Sequence, residues 1–185
     1  MDTITILIAV GQEDRERAER MAKTVRTVVG DRESRVLVGH VLTESEYEQT
    51  AERLEPATDA ETKAMSAARP ETSVAYAGTA GETSAPGEAE LPTEAAVKRV
   101  IGQRTVVRDL VETLQEAGFE PEVLGGVGDP AEGIVAMIDD HDADFVVIGG
   151  RDRSPTRQAM FGSVSQEILR SARCPAISVR GMDEV

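Results

Sequence analysis

Short β-branched apolar runs alternate with amphipathic stretches along the whole chain, and few folds accept that order. Ile4 to Val10 is an isoleucine-rich run of strand length, and Arg15 to Val29 then sets Ala18, Met21, Ala22, Val25 and Val28 at helical spacing. Gly30 and Asp31 close that helix, and Arg35 to Val41 is a second strand-like run. Val97, Val100, Ile101, Val107, Leu110, Val111 and Leu114 predict one helix ended by Gly118, with Phe119 to Val127 as the next strand. Pro130 stands in the first turn of a further helix, with Asp129 as its N-cap and Ala131, Ile134, Val135 and Ile138 as its stripe. Phe145 to Ile148, a helix from Ser163 bearing Val164, Ile168 and Ala172, and the run Ala176 to Val179 complete the series. Connections of this length suit crossovers between parallel neighbours. The expectation is an α/β fold: a five-stranded parallel sheet with four helices on its two faces.

At 185 residues the chain reads as one domain, residues 1–185, large enough to bury a core without staples. Its single cysteine, Cys174, can form no internal disulfide, and with only His40 and His141 beside it no Cys/His metal site follows. Cys174, next to Pro175, reads as a small packing residue in a reducing cytoplasm. No apolar run reaches membrane-span length, and no basic region precedes Ile4, so neither a span nor a signal peptide is expected. The formal charge is -14, from 34 acidic and 20 basic residues, and only Lys23, Lys63 and Lys98 are lysines. Such a surface repels nucleic acid and anionic membranes. An acidic, lysine-poor composition also resembles that of proteins from halophiles, which stay soluble in molar salt.

From about 56 to 92 the sequence changes character. Thr, Ala, Glu, Gly, Ser and Pro dominate, and Met65, Val74, Tyr76 and Leu91 are almost the only large apolar side chains. Glu44 to Glu94 holds 12 acidic and three basic residues, a net of -9. This stretch reads as a mobile, acidic insertion, since it has too little to bury to order itself.

Two glycine patterns carry no chemistry. Gly128 and Gly133 have the outer spacing of a Walker A loop, but Ile134 and Val135 occupy the Lys and Ser/Thr positions. Gly126, Gly128 and Ala131 match a dinucleotide fingerprint, yet too little chain follows for that fold. The informative segment is Phe145 to Arg180: an apolar strand, Gly149, then Gly162-Ser163 opening a helix, then Cys174-Pro175 and a last strand ending in Arg180. It resembles the C-terminal signature of the universal stress protein family, G-x2-G-x9-G-S followed by C-P. Ile6 to Val10, His40-Val41 and Gly128-Asp129-Pro130-Ala131 extend the resemblance over the chain apart from the insertion. The family implies the strand order 3-2-1-4-5 of the adenine nucleotide alpha hydrolase-like fold, and a homodimer joined through the strand Ala176–Val179. It also implies an adenine nucleotide, ATP with Mg²⁺ included, as a possible ligand. Two positions depart from its pattern: Asp152 replaces the second glycine, and Gly11 replaces the aspartate that contacts the nucleoside in nucleotide-binding members. Glu13 and Asp14 are close enough in sequence to substitute for that aspartate.

The residues argue for an anion site independently. Gly149 after a strand lets backbone N–H groups approach a phosphate, and Gly162-Ser163 opens a helix whose N–H groups and dipole favour negative charge. From Gly150 to Arg180 six arginines face two acids, a local +4 in a chain of -14. The same arginines would equally pair with surface carboxylates. The expected contacts are Ala9, Gly11 and Val41 for base and ribose, and Gly149, Arg151, Gly162, Ser163 and Val164 for phosphates. No nucleophile or base stands out, and His40 and His141 lack the company of a triad, so no enzyme is expected, although slow ATP hydrolysis is compatible. Two functions follow: a nucleotide-binding stress regulator, or a nucleotide-free homodimer that works through unidentified protein partners.

Overall fold

The computed structural model describes residues 3–11, 14, 17–51, 94–149 and 162–180. The five strands are β1 (Ile4–Ala9), β2 (Ser34–Leu42), β3 (Glu122–Val127), β4 (Phe145–Gly149) and β5 (Ala176–Val179). All pairings are parallel, and the sheet order is β3-β2-β1-β4-β5, as expected. The helices among the described residues are α1 (Ala18–Val29), α2 (Glu44–Ala51), α3 (Glu94–Gly102), α4 (Thr105–Glu116), α5 (Pro130–Asp140) and α6 (Ser163–Ser171). None is long and apolar enough to cross a membrane. The insertion expected at about 56–92 lies outside the described residues.

Alternation along each strand divides the core in two. Ile4, Ile6, Ile8 and Val10 of β1 and its exit join Val36, Val38 and Leu42 of β2 and Val147 of β4 under α1, α3 and α4. Leu7, Ala9, Leu37, Val41, Val146 and Ile148 point the other way, under α5 and α6. Two approaches are close because glycine permits them. A Cβ on Gly125 would overlap Ile101 of α3, and one on Gly133 of α5 would come 2.8 Å from Val41 of β2.

Three expectations need correcting. The run from Val97 to Leu114 forms two helices, with Arg104 in extended conformation between them. The first helix closes at Gly102, a poor helix former, where Gln103 N–H donates to Val100 O and Arg104 N–H to Ile101 O; Arg104 then turns extended and a new helix starts. The strand expected from Phe119 begins at Glu122. Gly118 (φ 87°) ends α4 with Phe119 N–H donating to Leu114 O and Gly118 N–H to Gln115 O, so Phe119 belongs to the helix cap. Finally, α2 was not expected. Thr43 and Glu46 begin it as a capping box: Glu46 accepts from Thr43 N–H at 2.8 Å, and Glu46 N–H donates to Thr43 Oγ1 at 3.3 Å.

The order of the strands fixes where a site can form. Ala9 of β1 pairs with Gly39 of β2 on one side and with Ile148 of β4 on the other. The chain leaves β1 for a helix on one face and β4 for a helix on the opposite face, so a crevice opens between their carboxyl ends.

Candidate nucleotide cleft

A cleft of about 250 Å³ occupies that crevice. Its floor is apolar, from Ala9, Val41, Ile134, Ile148 and Ile168. Its rim brings together Gly11 and Asp14 after β1, Thr43 and Glu46 after β2, Pro130 of α5, and Gly149, Val164 and Ser165 of the β4 and α6 side. Of the residues expected at a ligand, Ala9, Gly11, Val41, Gly149 and Val164 meet here. Gly162 and Ser163 begin α6 beside Val164 but are not part of the cleft wall, and Gly162 has no side chain to cap the helix. Arg151, Asp152, Arg153 and Arg157 lie outside the described residues.

Asp14 dominates the polar wall. Only 7% exposed, its carboxylate reaches back to the end of β1, where Oδ2 accepts from Gly11 N–H at 2.8 Å and Oδ1 accepts from Arg17 Nη1 at 2.8 Å. Arg17 is itself 6% exposed. An aspartate three residues beyond Gly11 therefore brings a carboxylate to the strand end. The same carboxylate rests on β4: a Cβ at Gly149 would overlap Oδ1. Glycine is required at this position by close approach of a side chain. Ser165 Oγ donates to Gly149 O at 3.2 Å and ties the first turn of α6 to the end of β4.

His40 also borders the cleft, a role that the sequence reading did not give it. It is 2% exposed, and its Nδ1–H donates to Val10 O at 2.7 Å, which fixes the neutral tautomer. Burial holds its pKa below the usual histidine value, opposed by the bond to Val10 and reinforced by Arg104. Nε2 has no partner among the described residues. The Thr43-x-x-Glu46 signature was the signal available for the β2 side of the rim. Cys174 is partly buried against the α5 and α6 cluster, and burial pushes its thiol up, away from thiolate chemistry. No group of three or more metal-ligating side chains occurs among the described residues.

Comparison with known proteins agrees with this architecture. A universal stress protein from Mycolicibacterium smegmatis is 35% identical over 75 residues, covering 40% of this chain and 58% of that protein. The universal stress protein YxiE of Bacillus subtilis is 28% identical over 75 residues, 40% of this chain and 51% of its own. These matches thus span about half the length of the curated relatives. The solved structure of MJ0577 superposes with a TM-score of 0.58 at 18% identity, covering 100% of both chains. A universal stress protein family member from Arabidopsis thaliana, solved with AMP bound, gives 0.50 at 16%, over 99% of this chain and 94% of that one. The model of the Universal stress protein family matches residues 4–180, and this chain belongs to that family.

Proposed function

We propose that the chain is a cytoplasmic stress-response regulator that binds an adenine nucleotide in the cleft between β1 and β4 without turning it over. The observation that carries this reading is the composition of the cleft: an apolar floor at a topological switch point, with the uncapped first turn of α6 at one end. The base would lie on Ala9, Val41 and Ile148, read by main-chain groups at the strand ends. The phosphates would sit by Gly149, Gly162, Ser163 and Val164, where helix N–H groups and dipole favour an anion. AMP in the Arabidopsis relative supports the ligand class.

Calorimetric titration of the full chain with AMP, and with ATP and Mg²⁺, tests this. The buffer should hold molar KCl, because we propose that a charge of -14 with three lysines is an adaptation to high salt. Binding with one ligand per chain supports the reading. Absence of heat from both ligands leaves the second one: a nucleotide-free homodimer acting through protein partners. What favours it is β5, an apolar edge strand paired only with β4 among the described strands, which sedimentation at micromolar protein would find joined to a second copy.

A further inference from the structure

The nucleotide reading leaves the Asp14–Arg17 pair without a task. Its geometry points to one. Among the described residues of the cleft wall the charged side chains are Asp14 and Glu46, both acidic. Glu46 is committed to α2, where its carboxylate accepts from Thr43 N–H and Thr43 Oγ1. Asp14 stands on the other side, against the Cα of Gly149, and Ser165 joins Gly149 to the first turn of α6. A phosphate drawn to that turn therefore comes up beside a carboxylate. Arg17 holds the carboxylate in place but is not itself part of the wall, so the ligand meets the negative end of the pair.

We propose that Asp14 is a specificity-determining residue that acts as a charge brake: it opposes the phosphate of a bound nucleotide strongly enough that the cleft prefers an uncharged 5′-substituted adenosine of similar size to AMP. This rests on the nucleotide reading of the cleft. The carboxylate cannot swing aside cheaply, because doing so would remove the acceptor of Gly11 N–H and break its own bond to the buried Arg17 guanidinium. Like charges a few ångströms apart in a half-buried cleft repel far more than in water. The brake is set by charge, and Asn has nearly the shape of Asp.

The test is calorimetry at one ionic strength with adenosine, AMP and 5′-O-sulfamoyladenosine, an uncharged analogue of AMP. For the unmodified chain the sulfamoyl compound should bind more tightly than AMP. In Asp14→Asn the ratio of the AMP to the adenosine Kd should fall at least tenfold, about 1.4 kcal/mol. A purely structural role for Asp14 would weaken all three ligands together and leave the ratio where it was. AMP binding the unmodified chain more tightly than the sulfamoyl compound, or an unchanged ratio in the folded variant, overturns the proposal while leaving nucleotide binding intact. Should Asp14→Asn fail to fold, the comparison of AMP with its uncharged analogue decides alone. Failure of all three ligands on the unmodified chain removes the nucleotide reading, and the brake with it.

Discussion

Gly149 and Asp14 show how one residue's identity can depend on another far away in sequence. A methyl group at 149 would occupy the space of the Asp14 carboxylate, so Gly149→Ala should destabilise by roughly 1–3 kcal/mol in denaturant unfolding. In an Asp14→Gly background the same change should cost much less, and equal costs in both backgrounds would contradict the contact. The sequence offers Gly149 as a phosphate-loop glycine. Its partner was visible only as one of two acids near Gly11, because proximity across the sheet has no local signature. His40 makes a second case. Its folded pKa is depressed, so the unfolded chain takes up the proton first as pH falls below about 6.5, and stability drops from there toward the folded value. His40→Asn can still donate to Val10 O but does not titrate. Stability measured at pH 7.5, 6.5 and 5.5 should therefore fall less for this variant than for the parent, and parallel curves would contradict a buried neutral histidine.

At the scale of elements, local chemistry was most legible where caps are strong. Asp129 was readable as an N-cap, and its carboxylate accepts from Ala131 N–H and Glu132 N–H, both at 2.9 Å, with Pro130 in the first turn of α5. Asp129→Ala should cost about 1 kcal/mol, read as a lower denaturant midpoint at unchanged slope; no change would mean that Pro130 alone sets the start of α5. The missed elements have physical reasons. Helix α2 buries no residue fully and its apolar stripe is weak, so periodicity was silent and only the Thr43-Glu46 box announced it. The break between α3 and α4 contains no proline, and Val100 and Val107, seven residues apart, keep the apolar spacing in phase across it, so Gly102 was its one local signal. Phe119 misled because an aromatic next to a strand also serves a helix cap.

For the whole molecule, the alternation of apolar and amphipathic runs along the chain made the layers legible, and family resemblance supplied the strand order; together they placed the ends of β1 and β4 side by side. Hence five of the eight expected ligand residues, dispersed from Ala9 to Val164, come to one cleft. The acidic wall was not legible in the same way. The local excess of arginine after Gly150 suggested an anion site, whereas the described lining of the cleft carries Asp14 and Glu46. Amide chemical shifts recorded during an AMP titration test the central claim, that this cleft is the ligand site. The account predicts that the main shifts fall on Ala9, Gly11, Val41, Gly149 and Val164, with the exposed faces of α1 and α4 unmoved. Shifts confined to those outer helices, or none at saturating AMP, would contradict it.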